Sequence, residues 1–169
     1  DRSRGLGDVY KRQGYQFEGA DASFELLVRK QLGAYKPYFS IEKFKTIGEQ
    51  RAGEDFAPAA AIVKVCVNGS SEITGAEGNG PVNALDVALR KALERFYPSL
   101  KEFALTDYKV RILDSRETSS AVTRVLVECS DKKDVWTTVG VSRDIIEASL
   151  TALVDALEYK LIKDEENAE

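Results

Sequence analysis

Apolar residues recur at helical spacing in three stretches of this chain and alternate with polar ones in six others. Leu85, Ala88, Leu89, Ala92, Leu93 and Phe96 fall on one helix face. Pro81 suits the first turn of that helix, and Tyr97-Pro98 ends it near Phe96. Ile146, Leu150, Leu153, Leu157 and Leu161 mark a second helix, capped by Ser142 and running to about residue 162. A shorter helix lies within residues 14–33, with Asp21 or Ser23 as cap, Phe24, Leu27, Val28 and Leu32 as stripe, and Gly33 closing it. Strands are predicted over 38–49, 59–67, 70–74, 106–113, 121–129 and 135–141. Phe39, Ile41 and Phe44 anchor the first of these. Asn68-Gly69 is a hairpin signal, and Asp131-Lys132-Lys133 a turn. Residues 50–58 read as a polar loop.

The order β-β-β-α then occurs twice. A shift of about 64 residues lays Phe44-Lys45-Thr46-Ile47 on Tyr108-Lys109-Val110-Arg111. It also lays Ile62-Val63 on Leu126-Val127, and the Ala88, Leu89, Ala92, Leu93 set on Ala152, Leu153, Ala156, Leu157. The predicted fold is α+β: two β-β-β-α repeats with pseudo-twofold symmetry, antiparallel sheets each covered by a helix, preceded by a short helical linker. Residues 1–13 carry no periodicity and read as a foreign or disordered extension. Residues 14–36 form the linker, 37–162 the main domain (repeats about 37–100 and 101–162), and 163–169 a frayed acidic tail. No initiator methionine is present, which suggests a fragment. Each repeat leaves a second sheet face to cover. A homodimer is one way to do so; a self-sufficient monomeric sandwich is the other.

Composition narrows the chemistry. The 169 residues carry a net charge of -4 with both signs mixed throughout, so nothing points to nucleic acid. There is no histidine, which removes the commonest general base and metal ligand. Cys66 and Cys129 sit in apolar strand-like runs, as buried thiols of a cytoplasmic protein do, although their spacing alone leaves a bridge open. No apolar run reaches membrane-spanning length, and no signal peptide is visible. Asp86, Glu94, Asp155 and Glu158 read as solvated helix-face charges. Asp107 and Asp114 flank a strand without the clustered oxygens a cation needs. No catalytic constellation emerges.

What remains is the run Gly75-Ala76-Glu77-Gly78-Asn79-Gly80, read as a loop that opens directly into a helix. Bare backbone at a helix N-terminus suits a small anion such as a carboxylate or phosphate; the same glycines could serve a tight turn alone. The run fails both the Walker pattern and GxGxxG, where Asn83 replaces the third glycine. No Lys or Arg lies between Gly75 and Leu89, which argues against phosphate or nucleotide. A chain of this kind reads as a ligand-sensing module.

Three segments carry a family resemblance: GAEGNGPVNAL at 75–85, LTDYKVRIL at 105–113 and TVGVSRDIIEASL at 138–150. Together they resemble the C-terminal regulatory, dimer-forming domain of the 2-isopropylmalate synthase and citramalate synthase family. GYQFEGADASFELLVR at 14–29 resembles the linker before it, and with Asp107-Tyr108-Lys109-Val110-Arg111 favours the citramalate synthase branch. The resemblance implies a homodimer that binds a branched-chain amino acid, isoleucine or leucine, as feedback inhibitor. It implies an N-terminal (β/α)8 barrel holding a divalent metal, absent here, so that this chain has no catalytic residues, metal or cofactor of its own. A free-standing amino-acid-binding module is the alternative. By matching motif, effector contacts would come from Gly78, Asn79, Gly80, Val82 and Asn83, from Tyr108 and Val110, and from Ile145 and Ala148, between two helix starts at the dimer interface. Such a ligand needs amide donors for its carboxylate and an apolar pocket for its side chain, which Val82, Tyr108 and Ile145 can line.

Overall fold

The computed structural model describes residues 19–48, 52–53, 58–113 and 121–169. The extension at 1–13, the first residues of the linker, most of the 50–58 loop and Asp114 lie outside these. The chain divides into two compact units, Pro37–Lys101 and the remainder.

In the unit Pro37–Lys101, β1 (Ser40–Gly48), β2 (Ala59–Val67) and β3 (Ser70–Gly78) form an antiparallel sheet in that order, followed by α2 (Pro81–Leu93). β2 shows the clearest alternation, with Ala59, Ala61, Val63, Val65 and Val67 buried and Ile62 on the open face. Asn68 and Gly69 both have positive φ, which matches the right-handed twist of the hairpin they close. Leu85, Ala88, Leu89, Ala92 and Leu93 are buried as their spacing predicts. β3 is longer than predicted. Gly75, Ala76 and Glu77 pair with Ile62, Ala61 and Ala60, so the connection to α2 shrinks to Asn79-Gly80. Glycines suggest a loop in sequence, yet here the β2 ladder satisfies their backbone. α2 stops at Leu93, short of Phe96.

In the other unit, β4 (Ala104–Leu113), β5 (Val122–Ser130) and β6 (Val135–Ser142) form the second antiparallel sheet, followed by α3 (Ile145–Ala168); the linker helix α1 (Asp21–Gln31) also belongs here. The repeat extends to detail. β1 and β4 each carry a register irregularity, around Glu42 and around Thr106. Thr74 Oγ1 donates to the Ala88 carbonyl at 2.6 Å, and Thr138 Oγ1 donates to that of Ala152 at 2.7 Å. Each hydroxyl ties a third strand to its helix.

Four expectations are corrected. The buried face of α1 is Ala22, Ser23 and Leu26, while Leu32 is 75% exposed. No side chain caps α1; Ser23 Oγ instead accepts the Val139 N–H at 2.8 Å, on the open edge of β6. Gly33 does close the helix: its N–H reaches the Lys30 carbonyl and that of Ala34 the Arg29 carbonyl, a Schellman pair. α3 runs through Ala168 rather than fraying, because Lys160 and Arg29 neutralise Asp164 and Glu166. Finally, Asp86 and Glu158 are buried rather than solvated. Burial raises the Asp86 carboxyl against the pull of Arg90 at 2.9 Å. Beside Glu158, burial and then the carboxylate itself push the Tyr35 phenol up.

α3 is held hardest at its C-terminal half. Trp136 Nε1 donates to the Ala156 carbonyl at 3.1 Å, and its ring packs on Tyr159 and Phe103. Asp131 Oδ1 accepts the N–H groups of Lys133 and Asp134 at 2.7 Å each, the predicted turn. Its other oxygen accepts from Lys160 Nζ at 2.7 Å, which also donates to Asp164. Neither cysteine is in a disulfide; Cys129 is buried and Cys66 half-buried.

Candidate functional site

The two helix starts differ in what fills them. Gly80 stands at the N-cap of α2 in extended conformation, φ -167° and ψ 173°. No side chain caps this helix and no acidic residue lies in its first turn. Pro81 contributes no N–H, and the first helical bond runs from the Ala84 N–H to the Gly80 carbonyl at 3.0 Å. Asn83 Oδ1 turns back to accept the Asn79 N–H at 3.2 Å, which fixes the strand-to-helix connection. Where a Cβ would stand on Gly80 there is nothing within 4 Å, so the front of the helix is open. Gly78 is the opposite case. A Cβ there would meet Asn83 Oδ1 at 2.5 Å and the Ala84 nitrogen at 2.6 Å. Gly78 therefore lets β3 approach α2, while Gly80 leaves the helix start bare.

At α3 the N-cap is Asp144, not Ser142. Its carboxylate accepts the N–H groups of Ile146 at 2.7 Å and Glu147 at 3.1 Å, and Ser142 Oγ accepts the N–H of Asp144. In the repeat, Gly80 and Asp144 are equivalent positions. One helix carries its own carboxylate in the seat formed by its first amides; the other offers the same seat without one.

The remaining predicted residues lie in the unit of β4 and α3. Tyr108 OH lies 2.9 Å from Ser149 Oγ, which donates to the Ile145 carbonyl at 2.6 Å. Tyr108 thus reaches the first turn of α3. Val110 is 41% exposed, and Ile145, the first residue of α3, is 42% exposed. Ile112, 68% exposed two residues along the same strand face, extends this apolar surface and was not singled out from the sequence. Its signal was the alternation of Tyr108, Val110 and Ile112. Ser149 was also missed; its signal was its position one turn after Ile145. Ala148 is fully buried, its carbonyl lying where a Cβ on Gly140 would stand, so its side chain belongs to the packed core. Val82 is half-buried, Asn79 and Asn83 are exposed. Asp107 is held below the usual carboxylate range by Lys109, 3.1 Å away, and by the Tyr108 N–H. Among the described residues, no group of three or more Cys, Asp or Glu could hold a metal ion, and no helix is long and apolar enough to cross a membrane.

Two antiparallel β-β-β-α units, one of them with a helix start that no side chain caps, define an α+β protein built from a repeat. Residues 18–161 match the LeuA allosteric (dimerisation) domain, and the chain belongs to that family. It is similar to the (R)-citramalate synthase of Geobacter sulfurreducens, 53% identical over 156 residues, covering 92% of this chain and 30% of that protein. It is similar to the (R)-citramalate synthase of Synechocystis sp., 54% identical over 157 residues, 89% of this chain and 28% of that protein. A 2-isopropylmalate synthase of Aquifex aeolicus is 30% identical over 135 residues, 78% of this chain and 24% of that protein. The chain therefore spans less than a third of the relatives it matches.

Proposed function

We propose that this chain is the feedback-regulatory, homodimer-forming part of a cytoplasmic (R)-citramalate synthase, an acyltransferase that condenses acetyl-CoA with pyruvate toward isoleucine, and that it binds isoleucine. The observation that carries the reading is the bare start of α2, at the position where its repeat, α3, caps itself. A free amino acid brings the carboxylate that Gly80 lacks and Asp144 supplies, and the dipole favours it there. Half-buried Val82, in the first turn of α2, provides apolar ground for an aliphatic side chain. Higher identity to citramalate synthases than to a 2-isopropylmalate synthase favours isoleucine over leucine.

The catalytic part would lie in the length the relatives have and this chain lacks. The metal the family resemblance places there does not fit here, since the chain has no histidine and the described residues hold no ligand cluster. No chemical step is assigned to these residues.

Calorimetric titration of the chain with isoleucine, leucine and valine tests the reading. Isoleucine should bind tightest. Isoleucine exceeds valine by one methylene, worth about 1–3 kcal/mol in an apolar pocket, so roughly 10- to 200-fold discrimination from valine is expected, while its isomer leucine tests the position of the branch. Tightest binding of leucine would move the chain to the 2-isopropylmalate branch; no binding of any of the three would overturn the reading. Sedimentation should show a dimer.

A further inference from the structure

The chain contains two Asn-Gly pairs, Asn68-Gly69 and Asn79-Gly80, in different settings. Asn68 is locked in the hairpin turn, φ 49°, between the paired residues Val67 and Ser70. Cyclisation there would have to break the hairpin. Asn79 lies beyond the last ladder pair, Ala59 with Gly78, and is exposed; its N–H is held by Asn83 Oδ1 at 3.2 Å, a bond that cyclisation through its side chain need not break. The next residue, Gly80, is extended and has open space where a side chain would stand. A glycine after asparagine leaves the following amide nitrogen unhindered.

We propose that Asn79 is a site of spontaneous deamidation. The Gly80 backbone nitrogen attacks Asn79 Cγ: the N–Cγ bond forms, the Cγ–Nδ2 bond breaks, and ammonia leaves with the amide proton. The product is a five-membered imide. Solvent water opens it at either carbonyl, giving aspartate in place of Asn79 or the β-linked isomer of that aspartate. Nothing is oxidised or reduced. Either product places a carboxylate one residue before the cap of a helix with no side-chain cap and no first-turn acid, where the dipole favours it. The β-linked product also lengthens a two-residue connection by one backbone carbon.

The modification stands independently of the amino-acid reading; only its effect on binding rests on that reading. The whole chain is aged at mildly alkaline pH and body temperature, and peptides are mapped by mass spectrometry with separation of aspartate from its β-linked isomer. Asn79 should be half-converted before Asn68 shows product. Gly80→Ala, confirmed folded by circular dichroism, should slow conversion at residue 79 and leave residue 68 unchanged. An Asn79 that stays intact, converts no faster than Asn68, or ignores the Gly80→Ala change overturns the proposal. On a half-aged sample, titration with isoleucine should show the competent fraction falling in step with conversion. Conversion at residue 79 with full binding would leave the modification in place and refute the seat at α2 instead.

Discussion

Replacing Gly80 by aspartate would give α2 the cap that α3 already has. The backbone permits it: both caps are extended, φ -167° at Gly80 and -99° at Asp144. A Cβ on Gly80 meets nothing within 4 Å. By analogy with Asp144, the introduced carboxylate would accept the N–H groups of Val82 and Asn83. Capping over glycine contributes a few tenths of a kcal/mol. The dipole adds about 0.3–1 kcal/mol, and removing glycine's freedom from the unfolded chain about 0.4–1 kcal/mol. The expected gain is therefore about 1–2 kcal/mol, or a rise in melting temperature of roughly 2–6 °C at this chain length.

The same substitution should abolish the proposed function. The new carboxylate occupies the amides that the effector's carboxylate would use. Hydrogen bonds to a charged group are worth about 1.5–3 kcal/mol, so isoleucine affinity should fall by roughly 10- to 150-fold. Gly80→Ala separates the two effects: it cannot cap, should cost at most about 1 kcal/mol at an extended position, and should still weaken binding by crowding the seat. Gly80→Asn caps without charge, so the difference between Asn and Asp should shrink in high salt. Thermal melts by circular dichroism and calorimetric titration read both quantities. A Gly80→Asp protein that melts below the alanine variant would refute the equivalence of the two helix starts. One that is stabilised yet binds isoleucine as tightly as the parent would place the carboxylate seat elsewhere.

Gly78→Ala should behave oppositely to Gly80→Ala, losing about 1–3 kcal/mol of stability in urea melts because its Cβ would overlap Asn83 and Ala84. Lys160→Met strands Asp131, whose side chain is 7% exposed, and should cost about 3–5 kcal/mol, only part of it recovered in the double variant with Asp131→Leu, which also loses the two turn bonds to Lys133 and Asp134. Burial tends to raise the Asp131 carboxyl, but Lys160 and the N–H groups of Asp134 and Lys133 outweigh it and hold the pKa at about 2. That depressed value contributes about 1–2 kcal/mol after solvent screening, present above the ordinary carboxylate range and lost as pH falls through about 2; acid melts of Asp131→Asn should lack this component. Asp155 has the reverse sign: burial pushes it to about 6 despite Lys30 at 3.7 Å. Its folded form holds the proton more tightly, so stability should decline as pH rises from about 4 through 6, and Asp155→Asn should flatten that slope. A slope unchanged in Asp155→Asn would assign it to another group.

The architecture is legible in the sequence because the apolar residues of β2, α2 and the first half of α3 keep clean periods and occur twice. What escapes is set by contacts across the sequence. The face of α1 is misread when large apolar residues alone are counted, whereas the docked side uses Ala22, Ser23 and Leu26, with Arg29 and Lys30 reaching Glu166 and Asp155. The end of α3 reads as frayed because acidic residues dominate it in sequence; Asp164 pairs one turn back with Lys160, but Glu166 meets its partner Arg29 only in the fold. Ser142 and Asp144 are both good caps by residue type, and only the folded chain decides which one faces the helix amides. The α2 start is legible in composition but not in extent, since glycine cannot distinguish a loop from the last residues of a paired strand.

The two units share topology, strand irregularity and the threonine-to-helix bond, yet they use glycine differently. In one unit Gly140 lets the α3 backbone come down on β6, and Asp144 closes the helix start. In the other the close approach is moved to Gly78, two residues nearer the helix in the repeat, and the cap is a glycine without a side chain. α3 gains a long buried half, a carboxylate cap and the Asp131-Lys160-Asp164 network, none of which has a counterpart at α2. The cap and the ion-pair network thus belong to one copy of the repeat. In the other copy no side chain caps the helix start, and under the proposed function a ligand carboxylate that completes it would gain the free energy that Asp144 supplies at α3.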